Sequence, residues 1–231
     1  MFSKFRFALS LLRDNCYAED GMGTVHVADF LRDPAFISAY QKGAETGSWH
    51  GGKLRWRAYN ACWAAQHALS LRGDFVECGV NRGGISRAVI DFVDFGAMND
   101  RRFFLLDTYR GSEDVAAENK NDYQECYADV VKTFSPFQNV KVIRGLVPDT
   151  LSQLDTQEVC YLSIDMNNAA PEIAALRFFW NKLVKGAVVL LDDYSYAECF
   201  RPQKEAFDAL GCELGFSVLT MPTGQGMIIK I

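Results

Sequence analysis

The sequence predicts one α/β domain whose mostly parallel, seven-stranded sheet ends in an antiparallel C-terminal hairpin strand, with an N-terminal helical cap in front. Three observations predict it. Five short apolar runs alternate with helical patterns between residues 74 and 210. Four of those runs end in an acid, as strands closing on one rim would. The last two runs, 216–220 and 227–231, are joined only by Pro222-Thr223-Gly224-Gln225-Gly226, too short for a parallel crossover.

A chain of 231 residues fits a single domain with a sizeable core, and 49% hydrophobic with 23% charged residues is a soluble, globular composition. A net charge of -5 leaves no footprint for nucleic acid or an anionic membrane, and no run reaches the ~20 apolar residues of a membrane span. Neither partner is expected. The seven cysteines (16, 62, 78, 126, 160, 199 and 212) form no C-x-x-C pair and read as reduced, buried thiols. Lys4 and Arg6 precede a short apolar run, but Arg13 and Asp14 end it without a small-residue cleavage site, so a cytoplasmic chain is expected.

In order, Asp33-Pro34 opens a short amphipathic helix through Tyr40. Residues 43–53, with four glycines around Trp49 and His50, suit a loop; a surface connection is favoured over a lid, with both side chains as candidate substrate contacts. A helix over 54–71 carries Tyr59, Cys62, Trp63 and Leu69, with His67 packed or solvated on it. The first strand, 74–78, runs into the turn Gly79-Val80-Asn81-Arg82-Gly83-Gly84 and a helix over 86–95. Phe103 to Asp107 is the second strand, and the turn 108–112 follows it. Tyr123, Cys126, Tyr127, Val130, Val131 and Phe134 then keep helical spacing up to Pro136. The third strand is 140–143, the fourth 159–164 and the fifth 187–191; a helix from Pro171 through Leu183 separates the last two, and another spans 202–210.

Ligands of open parallel sheets bind beyond the carboxyl ends of the strands. Glu77, Asp107, Asp165 and the pair Asp192-Asp193 all end strands there, and so many acids on one rim need a cation, a metal or hydroxyl donors. For Asp165, Asp192 and Asp193 a hard divalent ion, Mg²⁺ rather than Zn²⁺, is favoured over a metal-free acidic cleft. The turn G-x-x-x-G-G lacks the second glycine of the dinucleotide fingerprint, with Asn81 in its place. That disfavours a pyrophosphate. S-adenosylmethionine, which has none, offers a ribose to Asp107, an adenine to the loop at Gly145 and an aminoacyl end to the glycine turn.

The runs Val76-Glu77-Cys78-Gly79-Val80-Asn81-Arg82-Gly83-Gly84, Asp107-Thr108-Tyr109-Arg110-Gly111, Asp149-Thr150-Leu151 and Asp192-Asp193-Tyr194 resemble the macrocin O-methyltransferase-like family across about residues 54–200. The resemblance implies a single Rossmann-like class I methyltransferase domain over 54–231, with residues 1–53 as a cap able to act as a lid. It implies S-adenosylmethionine as cofactor, Mg²⁺ assistance and a small-molecule hydroxyl acceptor such as a sugar or natural product. By position, Glu77, Gly79, Gly83 and Gly84 would surround the methionine part, with Asn81, Thr108 and Asp165 also on the cofactor. Asp107 would take the ribose and Gly145-Leu146 the adenine. Asp165, Asp192 and Asp193 would hold the metal, and the catalytic base is left between His50 and Asp165. The family pattern continues Asp-Gly-Asp after the fourth strand, where this chain has Asp165-Met166-Asn167. Rival readings are an NAD-dependent oxidoreductase and a cofactor-binding domain without turnover; a homo-oligomer is compatible with all of them.

Overall fold

In the computed structural model, residues 17–110 and 124–231 are described. The readings of residues 1–12 and Cys16, of the end of the 108–112 turn and of Tyr123 lie outside them. Asp20-Gly21 closes a two-residue hairpin between β1 (Tyr17–Glu19) and β2 (Met22–Thr24), both turn residues at positive φ. This Asp-Gly hairpin is an addition to the expected elements. Helix α1 (Pro34–Ala44) begins as expected, with Asp33 accepting a hydrogen bond from Ala35 N at 2.9 Å.

The main sheet comprises β3 (Asp74–Cys78), β4 (Phe103–Asp107), β5 (Val140–Arg144), β6 (Val159–Ile164), β7 (Leu183–Leu191), β8 (Leu219–Thr220) and β9 (Gly226–Ile229). Its order is β5-β4-β3-β6-β7-β9-β8, and β9 alone runs against the rest. The helices between are α2 (Arg55–Ala68), α3 (Gly84–Phe92), α4 (Tyr127–Phe134), α5 (Ala169–Trp180) and α6 (Arg201–Leu214). Among the described residues no helix is long and apolar enough to cross a membrane.

Both faces of the sheet are covered, so its central strands read as continuous apolar runs rather than alternating ones. Phe75, Leu105, Tyr161 and Leu190 point to the face packed by α1 to α4, while Val76, Leu106, Leu162 and Leu191 point to α5 and α6. Each such fully buried side chain stabilises the fold by roughly 1.5–3 kcal/mol.

Some expectations give way. Leu183 belongs to β7 and not to the preceding helix, which stops at Trp180; Gly186, at φ +88°, lets the strand begin early beside Leu71. Pro171 stands in the first turn of α5 rather than at its first position, because Asn168 caps that helix by accepting from Ala170 N at 3.0 Å. Helix α2 buries Ala58, Ala61, Ala64, Ala65 and Ala68 against the sheet and leaves Trp63 41% exposed, stacked on His67. Of the described cysteines, Cys199 and Cys212 are exposed.

Candidate active site

Backbone pairing sets the rim. Gly79 N donates to Leu106 O at 2.8 Å, Asp165 N to Cys78 O at 2.8 Å and Asp192 N to Ile164 O at 3.0 Å, so Asp107, Gly79, Asp165 and Asp192 form one row. Side chains alternate along a strand, so Glu77 shares the face of Phe75, Asp107 that of Leu105 and Asp192 that of Leu190. Glu77, Gly79, Asn81, Gly84, Asp107, Asp165, Asp192 and Asp193 accordingly line one cavity of about 560 Å³, a size suited to a small molecule. Gly83, Thr108, Gly145 and Leu146 do not line it.

Only glycine fits in the middle of that row. Gly79 has φ +90°, and a Cβ there would lie 1.7 Å from the Asp165 carbonyl oxygen. Asp107 clamps the turn that follows: its Oδ2 accepts from Val80 N and Asn81 N, both at 2.7 Å, and its Oδ1 from Tyr109 N at 2.6 Å and Thr108 Oγ1 at 3.3 Å. A carboxylate so used holds the loop before it reads any ribose. Gly83 makes room for the Phe134 ring and Gly84 for Trp49 and Ser48, whose Oγ accepts from Gly84 N at 3.1 Å. Gly145 N reaches Asp107 O at 2.9 Å, and Leu146 is 56% exposed.

Residues 43–53 are not a mere surface connection. Trp49 stacks on Tyr40 with centroids 4.8 Å apart, and it lines the cavity together with the exposed His50, held at φ +48°.

Glu77 is buried beneath the turn. Its Oε2 accepts from Ser86 Oγ at 2.7 Å, while Oε1 has no hydrogen-bond partner among the described residues. Burial pushes this carboxyl up to about 8, with the Ser86 bond acting the other way. A buried carboxyl with an open oxygen at a cavity wall fits a cationic group, such as an amino acid ammonium.

On the other side of Gly79, the acids meet Arg57. Chain direction explains its position: α2 runs down the sheet before β3 runs up, so an arginine in the first turn of that helix stands at the rim. Arg57 Nε donates to Asp20 Oδ2 at 3.0 Å and Nη1 to Asp192 Oδ2 at 2.5 Å, with Asp193 Oδ1 at 3.8 Å. Its guanidinium carbon lies 4.5 Å from the Tyr196 ring centre, and Tyr196 OH meets Asp20 Oδ1 at 3.2 Å. Burial works to lower the pKa of Arg57, but Asp192, Asp20, Asp193 and Asp165 outweigh it and raise it. Burial, then Asp192 and Asp193, holds the Asp165 carboxyl well above the usual range; burial and Asp192 push Asp193 up to about 8.

Two further polar groups brace the acids. Gln225 Nε2 donates to Asp192 Oδ1 at 2.9 Å, and Asn60 Nδ2 donates to Gln225 Oε1 at 2.8 Å. Buried Glu172 accepts from Met166 N at 2.9 Å, fixing the loop after Asp165 where Asn167 takes φ +55°.

As hard oxygen donors, Asp165, Asp192 and Asp193 suit Mg²⁺ in kind. Their arrangement does not suit it. Among the described residues no three acids, histidines or cysteines converge to hold an ion, and both oxygens of Asp192 already face donors, Arg57 and Gln225. The structure thus departs from the expected metal ligation, putting a guanidinium among the acids.

Asp20, Arg57, Tyr196 and Gln225 are site residues that the sequence motifs do not mark. One signal is available: Arg55 and Arg57 stand at a helix N-terminus, where the macrodipole disfavours cations and where arginines therefore imply acidic partners. Arg55 indeed pairs with Glu19.

Comparison with known proteins identifies the family and the fold. Residues 46–210 match the Macrocin-O-methyltransferase (TylF) family. Mycinamicin III 3''-O-methyltransferase of Micromonospora griseorubida is 22% identical over 80% of this chain and 82% of its own. Among solved structures, the O-methyltransferase NovP superposes with a TM-score of 0.60 at 22% identity, covering 75% of this chain and 79% of its own. CalS11, a TDP-rhamnose 3'-O-methyltransferase, superposes with a TM-score of 0.53 at 16% identity, covering 85% and 95% respectively. These structures share the fold, and the family match displaces the NAD-dependent reading. The chain belongs to the macrocin O-methyltransferase family and is an S-adenosylmethionine-dependent O-methyltransferase.

Proposed function

We propose that the cavity takes S-adenosylmethionine on its Glu77 side and a small hydroxylated acceptor, a sugar or a glycosylated natural product, on its Asp165 side. The observation that carries this reading is the open Oε1 of buried Glu77 at the wall of a cavity whose far end holds Asp165, Asp192 and Arg57. In this assignment Glu77 with Gly79, Asn81 and Gly84 holds the aminoacyl end and Asp107 faces the ribose, while the adenine extends past the cavity toward Thr108 and the Gly145-Leu146 loop, which do not line it. When bound, the cofactor supplies a sulfonium methyl, which the acceptor oxygen takes as the S–CH₃ electron pair returns to sulfur.

The chain's own residues manage the proton and the water. Asp165 lines the cavity together with Arg57, whose charge favours its ionised form against burial and the neighbouring acids, and it receives the hydroxyl proton on a carboxylate oxygen. Tyr196, on the Arg57 guanidinium, borders the acceptor end, and Trp49 and His50, next to Gly84, cover the cofactor end, with residues 17–53 serving as the cap that limits water. The names of the relatives, which include a TDP-rhamnose methyltransferase, favour a sugar hydroxyl.

A transfer assay with labelled S-adenosylmethionine against free sugars, nucleotide sugars and glycosylated macrolides tests this. Label in a methyl ether of at least one class supports the proposal. Tight binding of S-adenosylhomocysteine with label in none of them overturns the acceptor assignment.

A further inference from the structure

We propose that Arg57 is the resident cation of the acid cluster and that its Nη2 donates to the acceptor oxygen, in the place where a divalent metal is expected. The inference rests on the methyl-transfer reading above and concerns how the same site handles its acceptor.

The geometry gives each guanidinium nitrogen a separate fate. Nε is spent on Asp20 at 3.0 Å, and Nη1 on Asp192 at 2.5 Å, with Asp193 3.8 Å away. These contacts come from the N-terminal hairpin and from the end of β7, so the plane of the group is fixed from two sides. The Tyr196 ring, 4.5 Å from the guanidinium carbon, fixes it from a third. Nη2 has no hydrogen-bond partner among the described residues, yet Arg57 lines the cavity beside Asp165. A guanidinium keeps its five donors and its charge at any working pH, so this open N–H edge is a permanent donor.

Such a donor does for an acceptor hydroxyl what an electrophilic ion would. It orients the oxygen, and it stabilises the negative charge that grows there as the proton leaves for Asp165. Asp20 gives the N-terminal hairpin a part in this, since it anchors both Arg57 and Tyr196. The acids around Arg57 then serve as its counter-ions: the end of Asp192 that would ligate a metal is already engaged by Nη1.

Calorimetry on the wild-type chain, saturated with S-adenosylhomocysteine, tests the inference without any substitution. No saturable heat with Mg²⁺ up to several millimolar supports it, as does transfer to the identified acceptor that changes less than twofold in EDTA. Saturable Mg²⁺ binding, or a tenfold loss in EDTA restored by Mg²⁺, overturns it. Arg57→Met removes the cation while keeping the stem. It should bind S-adenosylhomocysteine within threefold of wild type, lose transfer by a hundredfold or more, and gain Mn²⁺ binding visible by electron paramagnetic resonance. Undiminished transfer by a folded Arg57→Met chain overturns the proposal. Failure of the wild-type chain to bind S-adenosylhomocysteine is a separate outcome, which refutes the cofactor reading and leaves the metal titration to judge Arg57 alone.

Discussion

Replacing Glu77 by glutamine sets folding against cofactor binding. The carboxyl is pushed from 4.5 to about 8 by burial. Below pH 4.5 folded and unfolded chains both carry it protonated, and its contribution to stability is complete. Above that, the unfolded chain releases the proton while the folded chain keeps it, so stability is lost progressively until pH passes 8. At about 1.36 kcal/mol per pH unit, the loss between pH 5 and 7.5 amounts to roughly 3 kcal/mol. Glutamine has no such dependence. It keeps an acceptor for Ser86 and leaves an amide N–H pair unpartnered, a cost of about 1–3 kcal/mol that is the same at both pH values. The stability of the Glu77→Gln variant minus that of wild type should therefore rise by roughly 3 kcal/mol over that range, or about 6–12 °C in Tm for a chain of this size. Urea melts of the cofactor-free protein at several pH values measure it. The same substitution removes a charge-assisted partner for the aminoacyl end, weakening S-adenosylhomocysteine by roughly 10- to 100-fold in calorimetry. A stability difference that does not move with pH, or undiminished cofactor affinity, would refute the role given to Glu77.

Gly79→Ala puts a Cβ 1.7 Å from a backbone oxygen at φ +90°, and should cost about 3 kcal/mol or more in urea denaturation while abolishing cofactor binding. Asp165→Asn should lower the transfer rate roughly 100-fold or more with cofactor affinity within a few-fold, whereas His50→Ala, at the exposed mouth, should cost less than tenfold; equal losses would make His50 the base. Gln225→Leu frees one oxygen of Asp192, so transfer should fall about tenfold at unchanged S-adenosylhomocysteine affinity, and a loss of cofactor affinity instead would contradict its place on the acceptor side.

Much of the rim is readable because strand ends are local. The apolar runs of β3, β4 and β6 stop at Cys78, Asp107 and Ile164, and their shared direction brings the adjoining acids into one row. A row of acids, however, does not announce its counter-ion. Arg57 reaches Asp192 across 135 positions and Gln225 reaches it across 33, contacts set by the packing of α2 and of the final hairpin rather than by spacing. The glycines show the same limit. Gly79 is needed at the sheet edge, but Gly83 and Gly84 serve Phe134 and Trp49, which no turn motif reveals. Leu183 departs from expectation because an apolar residue after a helix looks like one more turn of it, while the register of β6 with β7 decides otherwise.

The most direct measurement is a crystal structure of the chain with S-adenosylhomocysteine. The nucleoside should lie against the Asp107 end of the row, with its amino group on Glu77 Oε1 and Arg57 still bridging Asp20 and Asp192 with Nη2 facing the space beside Asp165. A ligand bound away from Glu77, or a metal ion seated on Asp165 and Asp192 with Arg57 turned out, would contradict it.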